Sequence, residues 1–424
     1  MRAWPRKCLA AVAALALVTA CGNAPDPDPT PDREPQPTAA PPPPGLAPVT
    51  VAVGENMRQQ PFNTERQALV PAGWTMSVYA RVVQPRLLAW APDGVLLVSV
   101  PSAGEVLRVG TDGQTSSLLT ELTEPHGLAF DGSDLYVAES NQVSVYSYGA
   151  GQATNPRVIA PGLPDDSLAD LRGIYEHALK SVALGQDGSV YFSIGSTGNI
   201  SAEDRDAVPP RATIMRIPPG GGAAEPFSTG VRNGTGLAVA PDGGVWTAVN
   251  NRDNVPDPDG EVRTGYVNEN PPESLALLTP GRELGWPFCN PDRGTADVGF
   301  LRDMQTNPDG SRMDCATLPP LERTLPAHSA PLGLSFAELP PPYGTGALIG
   351  VHGSWNRNPP RAPEVSFFGW RDGSLGDQQT LVGGFQYPDG TRWGRPVSAV
   401  SGPDGAVYIS DDYADAVYRL APPG

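Results

Sequence analysis

The sequence predicts an all-β chain: a six-bladed β-propeller of antiparallel four-stranded blades, preceded by a disordered proline-rich tether. Three observations carry this. One pattern recurs, a short apolar segment running into Pro-Asp-Gly or a relative of it and then into an alternating strand rich in Val, Leu and Tyr. Gly 48 and Pro 50 among 424 residues leave little room for long helices, yet 39% hydrophobic residues still supply a large core. Proline is densest near the N-terminus, where eleven of the 27 residues from Gly22 to Pro48 are proline and the backbone stays extended.

The first segment sets the compartment. Arg2, Arg6 and Lys7 precede the apolar run Leu9 to Ala20, too short to span a bilayer but suited to a secretory signal core. Val18-Thr19-Ala20-Cys21 resembles the bacterial lipobox, in which the cysteine becomes the lipidated first residue; an ordinary signal peptide with a chance cysteine is the alternative. On this reading residues 1–20 are a lipoprotein signal peptide, 21–48 a linker and 49–424 the propeller. The expected location is the cell envelope, anchored to a membrane and facing periplasm or exterior. Removing the signal takes Cys8 and lipidation takes Cys21, which leaves Cys289 and Cys315 to form a disulfide in an oxidising compartment, or to remain as two buried thiols.

The repeats follow. Five copies are clear, LLAWAPDGVLLVSV, GLAFDGSDLYVAES, SVALGQDGSVYFSI, GLAVAPDGGVWTAV and AVSGPDGAVYISDD, with turn aspartates Asp93, Asp131, Asp187, Asp242 and Asp404. A degenerate sixth, LGLSFAELPPPYGTGALIGV, begins near Leu332. Such hairpins cannot bury both faces alone, so they stack radially as blades. If each Asp-Gly turn joins the innermost strand to the second, every turn lies on one face and the ligand site lies on the other. His126, His177, Asn233 and His328 then start inner strands, and Glu139, Ser196, Asn251, His352 and Asp411 end second strands. All four histidines of the chain meet at that mouth. A formal net charge of −17, with Lys7 and Lys180 the sole lysines, excludes a phosphate-tracking basic face and with it nucleic acid.

The run His177-Ala-Leu-Lys-Ser-Val-Ala-Leu-Gly-Gln-Asp-Gly188 resembles the catalytic-histidine strand of the soluble glucose and sorbosone dehydrogenases that use pyrroloquinoline quinone (PQQ). Gly230-Val-Arg-Asn233, Asn250-Asn-Arg-Asp253, Gly285-Trp-Pro287, Leu325-Pro-Ala-His-Ser-Ala-Pro-Leu-Gly333, His352-Gly-Ser-Trp-Asn-Arg357 and Gly394-Arg-Pro396 fall in that family's order, closest to the sorbosone branch. The resemblance implies a quinone lying over the central channel, a calcium ion beside it, and a sugar or sugar aldehyde as substrate. His177 would be the general base and Arg232 the cation that stabilises the reduced cofactor. Asn233, His328 and Arg395 would contact the quinone, with Arg357 replacing an absent lysine. The calcium, a Lewis acid on the quinone carbonyl, would take the carbonyls of Asn251 and Arg252 with Asp253 nearby.

The chain also departs from the family. Ser196 replaces the acid that orients the catalytic histidine, Thr235 replaces a glutamine, and Val397 replaces the second arginine of an Arg-x-Arg pair. Two other readings stay open: a calcium-dependent hydrolase such as a lactonase, built on Glu139, Asp253 and Asp411, and a propeller that only binds.

Overall fold

The computed structural model describes residues 45–424, and six sheets within it form a ring. Blade one is Leu88–Trp90, Leu96–Val100, Glu105–Val109 and Thr115–Leu119, counted from the axis outward, and blade two is Gly127–Asp131, Asp134–Ala138, Val143–Gly149 and Gln152–Ala160. Blade three is Val182–Leu184, Val190–Ile194, Thr213–Ile217 and Glu225–Thr229; blade four is Gly236–Val239, Val245–Val249, Glu273–Leu278 and Leu321–Leu325. Blade five is Pro331–Leu339, Gly344–Val351, Glu364–Arg371 and Ser374–Val382. Blade six closes the ring: Pro396–Ser401, Val407–Asp411 and Ala416–Ala421 take their fourth, outermost strand, Thr75–Arg81, from the other end of the chain.

The Asp-Gly turns work as the repeat suggests. Asp93, Asp187, Asp242 and Asp404 each accept, through Oδ1, the amide of the residue two places on, and the glycine between adopts φ of 78°, 84°, 90° and 75° respectively. An L side chain is strained at those angles, and the aspartate bond bends the chain back into the second strand.

Each blade buries one face against its neighbour, so six apolar clusters fill six seams. Leu97, Val106, Leu135 and Val137 seal blades one and two; Val143, Val182, Phe192 and Met215 seal two and three. Ile214, Val245 and Ala276 join three and four, and Trp246, Ala347 and Phe368 join four and five. Leu348, Phe367, Val407 and Ile409 join five and six, under a cover strand Leu46–Thr50 paired with Gln67–Pro71. Val98, Tyr408 and Val417 complete the ring between six and one.

Three features differ from the sequence expectation or fall outside it. The cover strand starts at Leu46, inside the stretch assigned to the linker, because Val49 and Val51 find apolar surface on blades five and six. Blades three and four gain a fifth strand each, Arg282–Glu283 and Ala296–Val298, both from one insertion in blade four. That insertion also holds the disulfide the sequence led us to expect, between Cys289 and Cys315, with Cα atoms 5.7 Å apart. The signal segment, Cys21 and most of the proline-rich stretch lie outside the described residues.

Replacing both cysteines by serine (Cys289→Ser, Cys315→Ser) is expected to lower the unfolding free energy by roughly 3 kcal/mol, the chain-entropy value for a loop of this length. Urea denaturation of the two proteins measures it, and equal midpoints would show that the bridge adds nothing.

Candidate functional site at the propeller mouth

The long connection from blade two to blade three carries His177, and Lys180 pins it. Lys180 is fully buried, and its Nζ donates to Pro164 O at 2.8 Å and Ala178 O at 2.7 Å while lying 5.3 Å over the Tyr175 ring. Burial lowers its pKa from 10.5 to about 7. The facing loop, after the second strand of blade three, is fixed by the buried Asp204, which accepts from Thr197 N at 2.6 Å, Thr197 Oγ1 at 2.5 Å and Arg211 Nη1 at 2.9 Å.

Between these two supports, His177 Nδ1 sits 3.0 Å from Ser196 O and 2.9 Å from Ser196 Oγ. Ser196 Oγ itself donates to Gly198 O at 2.8 Å. Both serine oxygens therefore accept, the ring proton is on Nδ1, and Nε2 carries a lone pair. Nε2 has no partner among the described residues and is not sealed from solvent. Burial, then Arg232, holds the ring pKa well below its usual value, so the imidazole is neutral.

Arg232 lies beside it, 3% exposed. Its guanidinium donates to Asn250 O at 3.0 Å, Asn251 O at 2.9 Å, Asn199 Oδ1 at 3.2 Å and Asn199 O at 3.4 Å, all neutral oxygens. No carboxylate lies within ion-pair distance of it among the described residues. Asn233, next in the chain, is buried at 8% exposure, and its side chain has no hydrogen-bond partner among the described residues.

His328 adopts φ 63° and uses both ring nitrogens, Nδ1 at 2.9 Å from Asp253 Oδ1 and Nε2 at 2.6 Å from Val267 O. Burial lowers its pKa, but the bonds to Asp253 and Val267 outweigh it, and the net shift is upward. Asn251 is held through its amide by Glu273 at 2.6 Å and through Nδ2 by Pro272 O and Ser274 Oγ, both at 2.9 Å. Arg252 is turned away from the mouth: it pairs with the buried Asp303 and donates to Gln305 Oε1 at 3.1 Å, which anchors the disulfide-bearing insertion.

Blades five, six and one supply the rest of the rim. Arg86, two residues before the first inner strand, donates from Nη1 to Asp412 Oδ2 at 2.6 Å, and Asp412 Oδ1 lies 2.7 Å from His352 Nε2. Arg395 Nε donates to His352 O at 3.0 Å, and its amide donates to Asp411 Oδ1 at 2.9 Å. Two buried atoms here lack protein partners, Arg86 Nε and His126 Nε2. His126 is sealed from solvent, and burial presses its pKa to about 3.

The mouth thus gathers His177, Arg232, Asn233, His328, Asp253 and Arg395, as the topology required. Arg357 does not join them; it is held at the rim by Asn268 O at 2.8 Å and Glu269 Oε1 at 2.7 Å. Sequence reasoning missed Arg86 and Asp412, although Arg86 precedes an inner strand as the histidines do. No group of three or more His, Cys, Asp or Glu side chains suited to a metal occurs among the described residues.

A family model described as TrAA12-like matches residues 68–422. The holo PQQ domain of pyranose dehydrogenase from Coprinopsis cinerea superposes with a TM-score of 0.70 at 20% identity, covering 84% of this chain and 97% of that one. The calcium structure of the Trichoderma reesei carbohydrate-active enzyme of family AA12 gives 0.69 at 21% identity, over 83% and 96%. The PQQ-bound aldose sugar dehydrogenase of Streptomyces coelicolor gives 0.53 at 16% identity, over 83% and 99%. At such identities these likenesses speak for the fold. An uncharacterized protein of Borreliella burgdorferi is 26% identical over 230 residues, 52% of this chain, and the chain spans 56% of that relative.

The Lys180 support gives a test through pH. Between about 7 and 10.5 the unfolded chain binds a proton at this lysine that the folded chain does not, so its contribution to stability rises with pH across that window. The stability difference between wild type and Lys180→Met, from denaturant titrations at pH 7 and 9, is expected to shift in favour of the wild type at pH 9. A difference independent of pH would contradict the burial argument.

Proposed function

The chain belongs to the TrAA12-like family, and from that premise we propose that it is a quinoprotein oxidoreductase that oxidises a sugar or sugar aldehyde with pyrroloquinoline quinone held in the mouth. The observation that carries this reading is Arg232, a buried guanidinium whose hydrogen bonds all go to neutral oxygens, beside a histidine whose Nε2 is left open. Burial disfavours this charge, the carboxylates of Asp253, Glu273 and Glu176 offset that only from beyond ion-pair distance, and an anion delivered from outside would offset more of it.

A planar tricarboxylate fits these residues. The Nε of Arg86 is a buried donor without a protein partner, Arg232 is a buried guanidinium with no carboxylate at ion-pair distance among the described residues, and a guanidinium fork matches a carboxylate. Arg395 stands at the same rim. When bound, the quinone would accept hydride from the substrate carbon. His177 Nε2 takes the hydroxyl proton, Ser196 keeps the ring in the tautomer that leaves this nitrogen bare, and Arg232 stabilises negative charge developing on its neighbour. Arg232 also disfavours imidazolium, so the proton must leave His177 readily. An external acceptor, a quinone or a cytochrome, then takes the two electrons.

Calcium fits less well. The Asn251 carbonyl that the resemblance assigns to the ion already accepts from Arg232, and Asp253 is engaged by His328. The carboxylates needed by a lactonase-like site are also engaged: Glu139 with Thr123 N and Gln142, Asp253 with His328, and Asp411 with three backbone amides. With lipidation at Cys21, the protein would hang from a membrane by its Asp-Gly-turn face, because the described chain enters there at Gly45, bonded to Ala72 beside the closing strand. The mouth would face away from that membrane.

Purified apoprotein titrated with PQQ, with and without calcium, and then with a panel of aldoses and sugar aldehydes tests the reading: absorbance reports binding, and bleaching names the substrate class. His177→Ala is expected to cut turnover by roughly 10²- to 10⁴-fold while leaving quinone binding nearly intact. Unchanged turnover would remove His177 from the mechanism, and no dye reduction with any substrate would sink the oxidoreductase.

A further inference from the structure

The mouth holds a second imidazole whose lone pair the protein directs, and this one is backed by a carboxylate. His352 follows the second strand of blade five, two blades from His177. Its Nε2 lies 2.7 Å from Asp412 Oδ1, and Asp412 Oδ2 accepts from Arg86 at 2.6 Å. Burial alone would raise the Asp412 pKa, but His352 and Arg86 hold it well below the usual carboxylate range, so both oxygens only accept. The ring proton must therefore be on Nε2, and the lone pair on Nδ1. Nδ1 has no partner among the described residues, and the side chain keeps 14% of its surface exposed. The charged groups facing the ring are Asp412, Arg395 and Arg86; burial keeps it neutral, with a pKa lowered to about 4.

Of the four histidines, only His177 and His352 offer an open nitrogen. His328 has both nitrogens bonded, and His126 is sealed from solvent. The two open rings differ in what stabilises their protonated forms. A proton on His177 leaves imidazolium between serine oxygens and Arg232, whereas a proton on His352 leaves it against a carboxylate.

Oxidation of one hydroxyl by this route releases two electrons and two protons. With the quinone bound, the O–H bond would break with its proton going to His177 and the C–H bond would break with hydride going to the cofactor; re-oxidation would then pass two electrons to the external acceptor and leave one remaining proton for the protein to take. We propose that His352, held by Asp412 and Arg86, is a second catalytic base, and that it takes this last proton when the cofactor is re-oxidised. Asp412 stays ionised throughout and acts as a positioning residue. The role rests on the quinoprotein reading; the open Nδ1 does not.

Two experiments separate these claims. Diethyl pyrocarbonate applied to the folded apoprotein, followed by peptide mapping, is expected to acylate His177 and His352 and to spare His126 and His328. Asp412→Asn, whose amide can donate to Nε2 and so move the ring proton to Nδ1, is expected to slow acylation of His352 alone. Sparing of His352 in the wild type would overturn the proposal. In the reconstituted protein, His352→Gln is expected to leave substrate bleaching within about twofold and to slow re-oxidation by a one-electron dye by about 10²-fold, the lower end for loss of a general base. Slowed bleaching with normal re-oxidation would overturn the role of His352 and leave the quinoprotein reading in place. Failure of the quinone to bind would overturn both, whatever the acylation pattern.

Discussion

Everything at the mouth depends on closing the ring. A four-stranded blade has two faces to bury, and each seam cluster draws on two blades, so an open array would leave one apolar face at either end. Thr75–Arg81 removes both ends at once by pairing with Ala416–Ala421, a contact between residues from opposite ends of the described chain. Asp411 reinforces the joint. It is fully buried and accepts from the amides of Arg395, Tyr413 and Ala414 and from the Tyr418 hydroxyl, which ties the inner edge of blade six to its third strand. Burial raises the pKa of this carboxyl to about 7 despite those bonds.

A closed ring makes the mouth rigid enough for groups that are costly to bury. Arg232 is surrounded by four neutral oxygens from two loops, and only fixed loops can hold them there. Lys180 and Asp204 do that fixing on either side of His177, so a histidine without a carboxylate partner still has a defined tautomer. Blades three and four thus present a neutral base beside an unpaired cation. Blades five, six and one present the converse, an ionised carboxylate shared between a histidine and an arginine.

What the sequence made legible was local. The Asp-Gly turns are set by bonds two residues long, and the inner-strand starts follow from them, so His177, Arg232 and Asn233 could be placed at the mouth before any coordinates. Pairings across the chain were not legible. Arg86 and Asp412 are 326 residues apart and no repeat marks them as partners. The Arg252 side chain pairs with Asp303, on a disulfide-bearing insertion that lies outside the repeat. His328 occupies a cofactor-contact position by motif, but its left-handed backbone turns both nitrogens toward Asp253 and Val267.

The central claim is that Arg232 is a buried cation awaiting an anion, and unfolding temperature with and without PQQ addresses it most directly, since a ligand that binds only the folded chain raises it. The account requires a PQQ-dependent rise in the wild-type apoprotein and its loss in Arg232→Met, with the variant still folded. An equal rise in both proteins, or none in the wild type, would contradict it.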